Sequence, residues 1–227
     1  MTGALVVLRP EPGLSATVDL AQEYGFAVTA VPMSEAQPVA WQAPQRDSFD
    51  ALLLGSANAL RHGGDALAGY RGCPALVVGE ATARAARDAG LEVAATGTGG
   101  LQSVLDQIAG APFSRLLRLA GEGRVALDPP AGVSMETRVV YRMRYLPLAG
   151  EALAAVRAGS IVLLHSGEAA RHFAAECSRC AIDRSGVAIA ALAPRIAEAA
   201  GPGWRRVAAP PLANDRALLE LARDMCQ

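Results

Sequence analysis

Short apolar runs bounded by turn residues recur along this chain, separated by segments whose apolar positions fall at helical spacing. Residues 4–8 read as a strand, the stretch from Arg9 to Gly13 as a turn, and the next segment as a helix with Leu14, Val18 and Ala21 on one face and Gly25 as its C-cap. Residues 26–31 are predicted as the second strand, closed by Pro32. Further strands are predicted at residues 51–54, 74–78, 91–94, 115–119 and 136–141. Between them lie a short helix limited by Gly63 and Gly64, a small-residue helix over residues 82–89 stopped by Gly90, and a helix with Leu101, Val104, Leu105 and Ile108 aligned on one face. The pattern then restarts with a helix at residues 151–156, strands at 161–164 and 187–191, a helix at 195–200, and a last helix carrying Leu218, Leu221, Ala222 and Met225. Runs of four apolar residues without alternation suit parallel strands covered on both faces.

One sentence is written twice. Residues 50–62 align without a gap with residues 160–172, pairing Ser56 with Ser166, Ala59 with Ala169 and His62 with His172. Such a repeat predicts two similar domains. The second half supplies three strands, and the two needed to match the first half stand at the N-terminus, because residues 4–31 match residues 115–141 in spacing and kind. The expected fold is α/β, with two similar parallel-sheet (flavodoxin-like) domains, one inserted in the other. Residues 1–33 and 147–227 form the discontinuous outer domain and residues 34–146 the inserted one with its flanking linkers. The linkers are an extended segment at 34–48 and a Pro147-containing segment at 142–149.

Parallel sheets bind ligands beyond the carboxyl ends of their strands. Every distinctive polar turn of this chain falls at such an end, and helix N-termini there favour anions. The expected ligand is a polyanion in a cleft between the domains, held mostly by backbone donors with some arginine. Candidate binding residues are Arg9, Ser56, Ala57, Asn58, Thr82, Gly121, Ser166, Gly167 and Arg195. Ser56, Ser166 and Thr82 also read as helix caps, and no His–Asp pair makes the serines nucleophiles. His62, His165 and His172 read as structural, two of them on helices behind the cleft. The glycines at residues 97–100 make a turn without the Walker lysine.

Composition narrows the chemistry. Hydrophobic residues make up 52% and aromatics only 4%, which fits cores of Val, Leu, Ile and Ala. A net charge of −1 gives no support to nucleic acid as a partner. All 21 basic residues are arginine, so Schiff-base chemistry, pyridoxal phosphate attachment and a Walker A lysine are excluded. Arg9-Pro10-Glu11 stands after the first strand, where a dinucleotide site needs its glycines. Cys177 and Cys180 have the spacing of a redox pair or half a zinc site, or of two packed helical thiols. No cofactor or metal is therefore expected. The absence of a basic leader and of a roughly 20-residue apolar stretch predicts a cytoplasmic protein without a membrane partner.

Six fragments carry a resemblance: Leu5-Val6-Val7-Leu8-Arg9-Pro10, Leu54-Gly55-Ser56-Ala57-Asn58-Ala59-Leu60, Val78-Gly79-Glu80-Ala81-Thr82-Ala83, Leu119-Ala120-Gly121-Glu122, Val140-Tyr141-Arg142 and Leu163-Leu164-His165-Ser166. In their order and spacing the chain resembles the uroporphyrinogen-III synthase family over nearly its whole length. The resemblance implies two α/β domains joined by a two-stranded connector, no cofactor, and a carbon–oxygen hydro-lyase of haem biosynthesis. The implied reaction cyclises the octacarboxylate hydroxymethylbilane with loss of water and inverts its last ring through a spiro intermediate. A monomer in transient contact with hydroxymethylbilane synthase is implied as well. Tyr141, at the end of a strand and the entrance to the second linker, is then the candidate catalytic residue, its phenol hydrogen-bonding the departing hydroxyl, or else a linker residue packed between domains. One turn departs from the family: Leu192-Ala193-Pro194-Arg195 stands where a glycine and a hydroxyl residue are usual. Arg195 either replaces the hydroxyl with a carboxylate contact or lies solvated behind Pro194 at the helix start. The competing reading is a non-enzymatic, cytoplasmic two-domain module that binds or senses a polycarboxylate.

Overall fold

The computed structural model describes residues 3–226. Along the chain lie β1 (Ala4–Val7), α1 (Gly13–Glu23), β2 (Ala27–Ala30) and β3 (Ser34–Pro38). These are followed by β4 (Ala51–Leu54), α2 (Asn58–His62), β5 (Pro74–Val78), α3 (Glu80–Asp88), β6 (Glu92–Gly97) and α4 (Leu101–Gln107). β7 (Arg115–Gly121), β8 (Ser134–Tyr145), α5 (Gly150–Arg157), β9 (Ile161–Leu164) and α6 (Gly167–Arg179) come next. The chain closes with β10 (Ala188–Ala191), α7 (Pro194–Ala199), β11 (Arg206–Ala208) and α8 (Asp215–Met225). It divides into two compact units, one formed by Met1–Glu35 with Arg144–Gln227 and the other by Ala36–Met143.

The first unit holds a five-stranded parallel sheet in the order β11-β10-β9-β1-β2. Its strands are apolar throughout because both faces are covered. Val6, Val162, Leu164 and Ile189 face Val156 of α5, Phe173 of α6 and Ile196 of α7. Leu5, Val7, Leu163 and Ala190 face Leu14 of α1 and Leu218 of α8. Burying a Val, Leu or Phe side chain stabilises by about 1.5–3 kcal/mol, so these two faces are the main source of the unit's stability.

In the second unit the sheet runs β3-β8-β7-β4-β5-β6. From β8 to β6 the pairing is parallel. Leu52, Leu54, Val77, Leu117 and Leu119 pack against α2 and α3, while Ala51, Leu53, Leu76 and Leu116 pack against Val104, Leu105 and Ile108 around α4. The strand orders β2-β1-β9-β10-β11 and β8-β7-β4-β5-β6 correspond strand for strand: the first is the flavodoxin order, and the second is the same order circularly permuted, its chain entering at β4. In each unit the chain runs outward from the middle in both directions, so each sheet has one switch point, between β1 and β9 and between β7 and β4.

Several expected elements shift. The linker expected at 34–48 contains β3, which runs antiparallel to β8: Leu146 N–H donates to the Met33 carbonyl and Val39 N–H to the Val140 carbonyl. The same pairing carries β8 on to Tyr145, so the strand expected at 136–141 extends into the second linker. Gly97 belongs to β6 rather than to the turn after it. Arg206–Ala208 forms an edge strand too short for its apolar pattern to announce. Cys177 is buried, and burial pushes its thiol up to about 12, while the Cys180 sulfur faces the Leu148 carbonyl at 3.6 Å. Both thiols are free.

Glu176 holds the entry to α5. This buried carboxylate accepts the Leu148 N–H at 2.6 Å and binds Arg179 through Nε at 2.8 Å and Nη2 at 2.7 Å. Arg179 keeps the carboxyl below its ordinary value, against the opposing effect of burial. A depressed folded value means that the contribution is present above the ordinary range and is lost as pH falls through the folded one. Glu176→Ala strands the Leu148 N–H and is expected to reduce stability by about 1–3 kcal/mol in urea unfolding at pH 7. As pH falls from the ordinary carboxylate range through the lowered folded value, the difference between variant and parent should shrink; a constant difference counts against the ionised carboxylate as its source.

Candidate functional site

The candidate site is built on the carboxyl ends of the strands, beside the switch points. In the second unit Leu54 pairs with Leu119, so Ser56 and Gly121 each stand two residues beyond the same rung. The Ser56 hydroxyl accepts the Asn58 N–H at 3.2 Å, a local turn that starts α2, and Ala57 is the buried residue at its cap position. Asn58 in turn accepts from Arg61 at 3.1 Å. Leu101 lies where a Cβ on Gly55 would stand, 2.8 Å away, which accounts for the glycine between strand and turn.

Gly121 pairs with Tyr141 at a register shift at the end of β7. A Cβ on Gly121 would fall 2.7 Å from Cζ and 2.9 Å from the hydroxyl oxygen of Tyr141, so the phenol lies across bare backbone that only glycine provides. His62 neighbours the same ring, with centroids 6.3 Å apart and planes inclined at 35°. Burial, aided by Arg61, pulls the His62 imidazole below its ordinary value and leaves it neutral at pH 7. His62 thus makes a ring contact with the candidate catalytic residue. The spacing of α2 did not betray this, because His62 meets Tyr141 through the sheet and not through the chain.

Thr82 does not cap its helix. α3 begins at Glu80 behind Gly79, whose φ of 75° suits glycine, and Thr82 sits in the first turn with 5% exposure. The sequence pattern placed the helix start two residues late.

In the first unit, Val7 pairs with Leu163, which sets Arg9 level with His165 beyond the strand ends. Arg9 is not a free donor. Its Nη1 donates to Asp215 Oδ2 at 3.0 Å and to Thr17 Oγ1 at 3.0 Å, tying the start of α8 to α1. The His165 side chain is buried with Nε2 3.3 Å from Asp215 Oδ1, close enough for an ion pair but without the angle of a hydrogen bond. Burial lowers the His165 value and Asp215 opposes that shift.

Ser166 caps α6, its hydroxyl accepting the Ala169 N–H at 3.1 Å, and Gly167 is the first residue of that helix. Pro194 occupies the first turn of α7 next to Arg195, whose exposed guanidinium has no hydrogen bond or ion pair among the described residues. His172 has a structural contact, its Nε2 standing 2.7 Å from the Leu146 carbonyl and its ring 4.9 Å from that of Tyr145. The structure thus gathers Ser56, Ala57, Asn58, Gly121 and Tyr141 at one switch point, with Ser166, Gly167 and Arg195 on the edge of the other unit. Among the described residues there is no group of three or more His, Cys, Asp or Glu able to hold a metal ion, and no helix long and apolar enough to cross a membrane.

Comparison with known proteins follows the same lines. Uroporphyrinogen-III synthetase of Helicobacter pylori superposes with a TM-score of 0.64 at 18% identity, covering 99% of this chain and 100% of that one. A mutant uroporphyrinogen III synthase of Thermus thermophilus gives a TM-score of 0.56 at 18% identity, covering 98% and 99%. Both likenesses are of fold. Comparison with curated proteins gives no match. Residues 15–220 match the family described as uroporphyrinogen-III synthase HemD. That match takes in every strand except β1, and the chain belongs to the uroporphyrinogen-III synthase family.

Proposed function

We propose that this chain converts hydroxymethylbilane to uroporphyrinogen III, with Tyr141 assisting departure of the hydroxyl. The observation that carries the reading is the Tyr141 phenol, laid over Gly121 at a sheet switch point where the starts of α2 and α3 present backbone donors. Family membership supports it over a non-enzymatic sensor. In the first step the hydroxymethyl oxygen takes up a proton from solvent, its C–O bond breaks and water leaves, with Tyr141 hydrogen-bonded to the departing oxygen. The resulting azafulvenium cation is attacked by the substituted carbon of the terminal pyrrole, giving a spiro centre. Breakage of the older bond at that centre and reclosure at the free carbon of the same ring, with loss of a proton, invert the ring. Holding the chain curled suppresses simple end-to-end closure, which would yield the symmetric isomer.

Substrate carboxylates are assigned to Ser56, Ala57 and Asn58, to the backbone of Gly121 and the start of α3, and to Ser166, Gly167 and Arg195. Arg195, free and exposed, takes the place of the missing hydroxyl turn. Arg9 keeps its anchoring role, and Thr82 contributes through its helix rather than its hydroxyl. The reading includes a carbon–oxygen hydro-lyase that works as a cytoplasmic monomer, needs no cofactor and receives its substrate from hydroxymethylbilane synthase.

Supplied with fresh hydroxymethylbilane, the protein is expected to give type III product in excess after oxidation and isomer separation; dominance of type I would sink the proposal. Tyr141→Phe removes one neutral hydrogen bond of about 0.5–1.5 kcal/mol and should lower kcat roughly two- to twelvefold, leaving type III as the product. A Phe variant as fast as its parent would reduce Tyr141 to a packing residue.

Gly121→Ala pushes the ring aside. It should lower kcat at least as far as Tyr141→Phe does, and the double variant should lose no more than Gly121→Ala alone. Full additivity of the two losses would show that Gly121 does not act through Tyr141.

A further inference from the structure

β7 carries an arginine where its alternation calls for an apolar residue. Leu117 and Leu119 face α2 and α3, and Leu116 faces the core around α4. Arg118 shares the Leu116 face, level with Leu53 of β4 and Thr137 of β8, and is 4% exposed. Of its five N–H donors, one on Nη1 reaches the Val125 carbonyl at 2.9 Å, and Nε is buried with no partner. No carboxylate forms an ion pair with Arg118 among the described residues, and Arg124 adds charge of the same sign. A guanidinium taken out of water without a counter-ion is strongly unfavourable, and pairing it with a carboxylate offsets much of that cost.

The cover over this arginine is unusual as well. A crossover between parallel strands is ordinarily helical, but residues 122–133, between β7 and β8, form no helix. Gln102 clamps the middle of this loop, donating to the Asp128 carbonyl at 2.9 Å and accepting the Asp128 N–H at 3.0 Å, and Leu127 and Val133 pack on the core. Residues 122–126, by contrast, are exposed. Since Val125 lies beyond the end of β7, the guanidinium is directed toward the carboxyl edge that holds Gly121 and Tyr141.

We infer that Arg118 receives one carboxylate of the substrate, which enters beneath residues 122–126 and takes the place of the Val125 carbonyl. This rests on the proposed function and adds to it a charged subsite on the face of the sheet away from α2. The free protein carries an uncompensated buried cation, and the ligand completes it.

The test uses the full chain and uroporphyrin III, the stable oxidised product with eight carboxylates, as the probe. In Arg118→Met and Arg118→Gln the dissociation constant is expected to rise about ten- to a hundredfold, the loss of a charge-assisted contact. The thermal midpoint of the free variant should be unchanged or raised, since an unpaired buried charge is removed. A dissociation constant within twofold of the parent, or a lowered midpoint, overturns the inference and makes Arg118 a loop anchor. Hydrogen exchange on the parent protein gives a reading independent of how the variants fold: the probe should change exchange at residues 122–126, and no change there overturns the subsite. If the parent binds no uroporphyrin III at all, the proposed function falls with it; if it binds and the variants bind as well, only the subsite falls.

Discussion

Parallel pairing of very short, wholly apolar strands is the constraint on which the rest depends. Strands such as Ala51–Leu54 and Ile161–Leu164 have four residues each and no polar position, so they persist only when both faces are covered by helices. Parallel order also sends every strand end to one edge, and it leaves a switch point where the chain turns from one direction of winding to the other. The turns at that edge are released from packing and are free to carry serine, asparagine, glycine and arginine. Residues more than 100 positions apart, such as Ser56 and Ser166, therefore come to equivalent places in two separately built sheets.

At these edges, backbone geometry matters more than side-chain identity. Gly121 serves by lacking a side chain, which lets the Tyr141 ring lie across the strand end. Gly79 serves by a backbone angle that starts α3 two residues ahead of Thr82. Charges that look available in the sequence are in part already engaged: Arg9 is held by Asp215 and Thr17, while Arg195 remains open. These edges thus offer many backbone N–H groups and few free cations, an arrangement that does not require lysine.

Within the second unit the two faces of the sheet are unequal. The face under α2 and α3 is closed by apolar residues, whereas the other has α4 and a helix-free crossover with Arg118 beneath it. A purely structural core would place a leucine at that position, because an apolar side chain there needs no partner. This exception to the strand's alternation lies near Gly121 and Tyr141, at the edge that carries the candidate site.

How much the sequence determined varies with the range of the interaction. Local pattern was enough for the apolar strands, most helix spans, the repeat and the two-domain inference, since each follows from the period and boundaries of a single segment. It also marked Ser166 as a cap, which needs only the next three residues. Pairing decided the rest. β3 and the extension of β8 exist because two weakly patterned segments satisfy each other's backbone groups, a condition neither segment reveals alone. His62 beside Tyr141, Arg9 bound to Asp215, and Arg118 buried under residues 122–133 all join parts of the chain distant in sequence or turn on which face of a strand is covered. Only the tertiary structure sets such contacts, because the energy of a charge or a ring depends on what surrounds it and not on its place in the chain.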